Sequence, residues 1–278
     1  MLYKLSFTKL TGAGNDFVLI DNREDVYKLQ WNEAAKNICD RHFGIGADGL
    51  LVLEKSVKHD FKLNYFNSDG SYGGLCGNGG RCAAYYYFLN DAKSNLVHFE
   101  SLGKKYTAEK NSDSIRLRMK DVRTQIKKYA ISINKKNYAI HFLDVGSPHA
   151  IFFLDKKKGS LAKFPVDDIG RKIRFHKKFS PKGTNVNFVS QFNSNTIEMR
   201  TYERGVESET LACGTGSVAT ALVSATLFEM KSPIHLIPTS KQQLSVHFKS
   251  KNDIYTDVWL EGPAKIVFAG KFEISHRC

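Results

Sequence analysis

The sequence predicts an α+β protein of two pseudo-symmetric halves, each a curled, mostly antiparallel sheet around a central helix, with the active site in the cleft between them. Three observations lead there: a length that suits two domains, an ordered internal repeat, and one strongly apolar helix candidate in each half. At 278 residues the chain exceeds what a single compact core usually holds. Its hydrophobic content of 42% and aromatic content of 12% place it among globular proteins.

The repeat consists of four segments that recur in the same order. GNDFVLID from Gly14 to Asp21 is matched by SPHAIFFLD from Ser147 to Asp155. GIGADGLLVL from Gly44 is matched by GTNVNFV from Gly183, and YFNSDG from Tyr65 by TYERG from Thr201. LCGNGGRCAAYYYF from Leu75 parallels ACGTGSVATALVSA from Ala212. The offsets from Gly44 to Gly183, Tyr65 to Tyr202 and Cys76 to Cys213 are 139, 137 and 137 residues.

Runs rich in Val, Ile, Tyr and Phe read as strands. Among them are Phe61–Phe66 and Ile115–Met119 in the first half, then Tyr138–Leu143, Val186–Val189, Thr196–Tyr202 and Ile254–Leu260, and GNDFVLID is strand-like too. Helix candidates follow the two repeated cysteines, at Gly80–Leu89 and Gly216–Phe228. Helices so apolar have few solvent-facing positions, so each is expected at the centre of its sheet. Charge rises and periodicity fades near Lys120 to Lys136, which reads as a linker. The expected domains are residues 1–122, joined by the closing segment 263–278, and residues 123–262.

Composition also excludes function classes. No apolar run is long enough for a membrane helix and the first ten residues lack a signal-peptide pattern, so a cytoplasmic location and no membrane partner are expected. The net charge is +13, and between Asp121 and Lys182 fifteen Lys or Arg face five Asp or Glu. No nucleic-acid-binding module accompanies this basic stretch. It reads as a solvated surface that would attract a small anionic substrate. The five cysteines are odd in number and scattered, which fits thiols better than a disulfide framework. Cys76 and Cys82 are spaced too widely for a zinc knuckle, so no metal is expected. Cys39, Cys82 and Cys278 read as small buried hydrophobes.

Cys76 and Cys213 stand apart. Each opens a Cys-Gly-x-Gly turn, Cys76-Gly77-Asn78-Gly79 and Cys213-Gly214-Thr215-Gly216, immediately before a helix candidate. Glycine lets a ligand approach the backbone, and the first-turn N–H groups form an anion site suited to a carboxylate. The same field favours thiolate, lowering such cysteines from about 8.5 to roughly 3.5–7.5. Two such ends on opposite sides of an α-carbon would supply a base on one face and an acid on the other, the requirement for inversion. Negative charge developing on the carboxylate would meet both helix ends. This proton chemistry calls for no cofactor.

The motifs TGAGNDFVLID, RHFGIGADGLL, FNSDGSYGGLCGNGGRC and YERGVESETLACGTG together resemble the diaminopimelate epimerase family over nearly the whole length. The resemblance implies interconversion of LL- and meso-diaminopimelate on the bacterial route to lysine and peptidoglycan. It implies Cys76 and Cys213 as the catalytic pair, with Gly77, Asn78, Gly214 and Thr215 supplying the backbone cradle. It further implies substrate contacts from Asn15, Asn67, Asn187, Glu203 and Arg204, and tuning of the sulfur protonation states by His149 and Glu203. Diaminopimelate is then the small-molecule partner, and a homodimer is compatible with the sequence. Two positions depart from the family pattern. Ser147 replaces an asparagine in the usual Gly-Asn-Pro-His, and Gly49 stands where some members carry glutamine. Ser147 is the reason to keep a racemase of another amino acid on the same scaffold as the alternative.

Overall fold

The computed structural model describes residues 2–123, 125–155, 160–252 and 254–275. They divide into two compact units, one of the described residues up to 117 together with those from 262 onward, and one of those between 118 and 261.

In the first unit β1 (Leu2–Gly12) turns directly into β2 (Asn15–Asp21). Both loop residues, Ala13 and Gly14, have positive φ (56° and 106°), the geometry a two-residue hairpin needs to match strand twist. After α1 (Trp31–Cys39), β3 (Gly49–Glu54) lies parallel to β2, and β4 (Phe61–Asn67) lies antiparallel to β3. Next come α2 (Gly77–Asn90), then β5 (Leu96–Ser101), parallel to β4, and the antiparallel β6 (Lys104–Asn111) and β7 (Ser114–Arg118). The helix α2 packs against β1, β2, β3, β4 and β6, so the sheet wraps around it. Its Asn78–Ala84 turns are buried, and stacked Phe61 and Phe99 fill the space beneath, with ring centroids 5.0 Å apart.

The second unit repeats this order. Strands β8 (Lys127–Ile133), β9 (Lys136–Asp144) and β10 (Pro148–Phe153) pair antiparallel in succession. After α3 (Val166–Arg174), β11 (Asn185–Gln191) runs parallel to β10 and β12 (Thr196–Glu203) antiparallel to β11. The short β13 (Ser208–Thr210) precedes α4 (Gly214–Phe228). Then β14 (Ile234–Ile237) runs parallel to β12, and β15 (Leu244–Lys251) and β16 (Ile254–Pro263) continue antiparallel. Residues Gly216–Ser224 of α4 are all buried, packed against β9, β10, β11, β14 and β15. Finally β17 (Lys265–Ser275) lies antiparallel on β1 in the first unit, where it occupies the place that β8 holds beside β9 in the second. The four repeated segments thus fall on equivalent strands and on the central helices.

Three sequence expectations change. The segment read as a linker contains β8, whose lysines obscured a strand: Ile131 and Ile133 point into the core while Lys127, Lys128, Ala130 and Ser132 face out. Both central helices begin earlier than expected, at Gly77 and Gly214, directly after the cysteines. Helices α1 and α3, which the sequence reading omitted, cover outer faces through Ala34, Ala35 and Ile38 and through Val166, Ile169 and Ile173. Exposed Lys135 and Lys136 continue the basic surface, whereas Lys156–Lys158 lie outside the described residues. Among the described residues no helix is long and apolar enough to cross a membrane.

Candidate active site

Cys76 is the N-cap of α2, with extended backbone (φ −85°, ψ 124°), and its carbonyl accepts the first helical bond from Gly80 N–H at 2.7 Å. Its side chain caps no backbone N–H, because sulfur is a poor substitute for the oxygen of Ser or Asp there. The Cys76 side chain therefore takes none of the first-turn N–H groups, which a helix leaves without intrahelical partners. Asn78 is 2% exposed and spends its side chain internally, Nδ2 donating to Asn15 Oδ1 at 2.6 Å and Oδ1 accepting from Arg81 at 2.8 Å. What Asn78 offers at the helix end is its backbone. Asn15 in turn donates to Asp48 Oδ2 at 2.9 Å, and Asp48 accepts from Arg41 at 2.7 Å. Arg41 and Lys9 both pair with Asp16. Burial raises the Asp16 pKa, but these two cations outweigh it and hold the carboxyl below its ordinary value. The loop opposite the helix end is thereby fixed by charge.

Asn67, at the end of β4, accepts from the Tyr65 hydroxyl at 2.8 Å and donates to Ser71 Oγ at 2.9 Å. Tyr65 also explains Gly49. A Cβ at Gly49 would lie 2.5 Å from the Tyr65 ring and 2.7 Å from Phe66 O. Glutamine cannot enter there while Tyr65 holds Asn67.

The second unit builds an equivalent helix end. Cys213 is the N-cap of α4 (φ −124°, ψ 112°) and is 5% exposed. Its carbonyl accepts from Ser217 N–H at 2.9 Å and from Ser217 Oγ at 3.0 Å, and again its side chain makes no capping bond. Gly216 is required by close approach, since a Cβ there would sit 2.5 Å from Asn187 Oδ1 and 3.3 Å from Cys213 Sγ.

A directed hydrogen-bond chain reaches the sulfur. Thr201 Oγ1 donates to Asn187 Oδ1 at 2.9 Å, and Asn187 Nδ2 donates to His149 Nδ1 at 3.1 Å. Burial, with a smaller contribution from Arg204, pushes the His149 pKa down to about 3, so the ring is neutral. With Nδ1 accepting, the proton sits on Nε2, which donates to Thr215 Oγ1 at 2.9 Å. The Thr215 hydroxyl hydrogen is then left to point at Cys213 Sγ, 3.7 Å away.

Asn187 was expected to touch substrate and is instead 0% exposed, with both ends of its amide engaged. It supports His149. The residue missed was Asn185, two positions earlier on the same face of β11. Its Nδ2 donates to Ser147 Oγ at 2.9 Å and Pro148 O at 3.1 Å, and its Oδ1 accepts from Arg204 N–H at 2.8 Å. Asn185 thus orients the loop carrying Ser147 and the turn carrying Arg204. The repeated Asn in TNVNF was the available signal, because alternate strand residues share a face and only the partners each one meets separate their roles. Glu203 is half-buried and accepts from Thr210 Oγ1 at 2.9 Å. The half-buried Arg204 guanidinium has no carboxylate partner among the described residues. Cys39 and Cys82 are buried thiols, each pushed up to about 12 chiefly by burial. Cys278 lies outside the described residues.

In fold the chain is similar to a phenazine biosynthesis protein of the PhzF family from Bacillus anthracis. The TM-score is 0.73 at 13% identity, covering 98% of this chain and 99% of that one. In sequence it is similar to a diaminopimelate epimerase from Flavobacterium psychrophilum, 41% identical over 261 residues that cover 94% of this chain and 97% of the relative. A diaminopimelate epimerase from Chlorobaculum tepidum is likewise 41% identical over 268 residues, 94% of this chain and 98% of the relative. The diaminopimelate epimerase family model matches residues 7–127 and 141–267. With Cys76 and Cys213 each capping a central helix inside those matched spans, the chain belongs to the diaminopimelate epimerase family.

Proposed function

We propose that this protein interconverts LL- and meso-diaminopimelate by removing the proton from one α-carbon and returning one to the opposite face, with Cys76 and Cys213 as the two acid–base groups. The observation that carries this reading is the duplicated helix end, a cysteine N-cap whose side chain leaves the first-turn N–H groups uncapped. Each end can hold a carboxylate oxygen and present a sulfur beside it. The reading requires a single substrate to engage both.

The chemistry follows from these parts. A thiolate takes the α-proton while a thiol on the other side delivers its own, and the roles reverse for the return reaction. The carbanion spreads its charge onto the α-carboxylate, where helix N–H groups are already aimed. Thr215 assists Cys213: its hydrogen, directed toward sulfur by the neutral His149, stabilises the thiolate without exchanging the proton in question. His149 and Asn187 act as positioning residues through Thr215. The Arg204 guanidinium, without a carboxylate partner among the described residues, supports recognition of a second, distal carboxylate, which a bidentate fork is suited to grip. That feature favours diaminopimelate over a monocarboxylate amino acid. Asn15, Asn67 and Glu203 complete the set of polar groups assigned to substrate, while Asn185 fixes Arg204.

Incubating reduced enzyme with LL-diaminopimelate in heavy water is the test. Deuterium should enter the α-position as the meso form appears, and Cys76→Ala and Cys213→Ala should each abolish turnover while the fold is kept. Near-normal epimerisation by either variant would refute the two-cysteine assignment. Faster turnover of a monocarboxylate amino acid would replace the substrate.

A further inference from the structure

Arg81 contacts none of the groups assigned to substrate except Asn78, yet it is the largest fully buried side chain among the described residues, with 0% exposure. It lies on α2 five residues after Cys76, and helical side chains lean back toward the N-terminus. Arg81 does so, since its Nη2 donates to Asn78 Oδ1 in the first turn at 2.8 Å. Its Nε and Nη1 are buried with no acceptor among the described residues, and no carboxylate there pairs with it. An isolated buried cation is strongly unfavourable, so a charge must meet it for at least part of the reaction cycle. Burial draws the guanidinium down to about 10, and the groups whose negative charge would act against this are Cys82 and Cys76. Cys82 is itself fully buried and pushed up to about 12, so it remains a thiol at neutral pH. Cys76 is half-buried at the N-terminal end of the helix, the position that favours a thiolate.

We propose that Arg81 is a positioning residue whose buried guanidinium is the standing counter-charge of the Cys76 thiolate, and whose bond to Asn78 holds the first turn of α2 in place. This rests on the reading of Cys76 as an acid–base group, although its test does not use turnover. The Asn78 bond ties the charge to the helix end, so the thiolate is favoured beside the carboxylate cradle rather than elsewhere in the unit.

The experiment measures the rate of iodoacetamide alkylation of Cys76 against pH in wild type, Arg81→Gln and Arg81→Lys, reading each cysteine-containing peptide by mass. In Arg81→Gln the Cys76 midpoint should rise by about one unit or more, slowing alkylation near neutral pH about tenfold, as expected for loss of an adjacent opposite charge. Cys213 should keep its wild-type profile, and Arg81→Lys should restore most of the Cys76 rate. An unchanged Cys76 midpoint, an equal shift at Cys213, or an Arg81→Lys protein as slow as Arg81→Gln would overturn the proposal. If Arg81→Gln does not fold, wild type decides: the Arg81 Nε resonance should shift with pH through the same midpoint as Cys76 alkylation. A resonance that stays still across that midpoint overturns the proposal too. Loss of the alkylation effect with full two-cysteine dependence of turnover would refute this inference alone, whereas turnover without Cys76 would refute the functional reading beneath it.

Discussion

Replacing His149 with glutamine should make the protein less sensitive to acid. In the folded state burial pushes this imidazole from 6.5 down to about 3, while in the unfolded chain it titrates near 6.5. Between those values the unfolded state binds a proton that the folded state does not, so unfolding is favoured as pH falls. Each unit below 6.5 withdraws about 1.4 kcal/mol from folding. The ring is 0% exposed, so solvent screening does not reduce this figure. From about pH 7.5 to about pH 4.5 the His149 contribution to stability should therefore fall by about 2–3 kcal/mol. Glutamine offers an N–H and an acceptor but cannot titrate. Urea unfolding of both proteins at the two pH values isolates the effect, because carboxylates shared by both cancel in the difference. At the higher pH the variant should be the less stable, having lost the fit to Thr215 and Asn187, and at the lower pH the gap should narrow by that amount. A gap that stays constant within about 0.5 kcal/mol, the usual scatter of additive effects, would mean that the folded protein protonates His149. Burial would then not hold the ring neutral through this range, and the chain directing a hydrogen onto Cys213 would be broken at the lower pH.

Gly216→Ala should lower stability although alanine favours helix by about 1 kcal/mol, because its Cβ would lie 2.5 Å from Asn187 Oδ1. Overpacking costs about 1–3 kcal/mol, so a fall of a few degrees in Tm, with a larger loss of kcat as Cys213 shifts, is expected by scanning fluorimetry and kinetics. Arg204→Met should reduce kcat/KM for diaminopimelate by about 10–150-fold, matching the roughly 1.5–3 kcal/mol of hydrogen bonds to a charged group, mainly through KM. Asn185→Ala should weaken substrate binding similarly although its side chain is tied to Ser147, Pro148 and Arg204 rather than free. Wild-type KM in that variant would show that the Arg204 turn holds itself.

Local chemistry was legible in the chain. A cysteine followed by Gly-x-Gly before an apolar run specifies a helix end, because capping, backbone approach and dipole all act within one turn. β-branched and aromatic runs likewise disclosed β4, β7, β9, β11, β12 and β16, though fewer than half of the strands, and the repeated order of segments disclosed the duplicated topology. What depended on distant residues was hidden. Lysines at 127 and 128 masked β8, whose strand character comes from neighbours that bury Ile131 and Ile133. Short α1 and α3 lack side-chain caps at Gln30 and Pro165 and form because their apolar faces find a sheet.

The sequence by itself determined the two cysteine-capped helices and the kind of reaction they suit, since those follow from residue types within a few positions. Only the tertiary structure decided depth. It placed Asn187 behind His149 and Asn185 against Ser147, Pro148 and Arg204, cleared space at Gly49 for Tyr65, and enclosed the Arg81 guanidinium completely. Burial and partner geometry are sums over contacts distant in the chain, and no local pattern carries them.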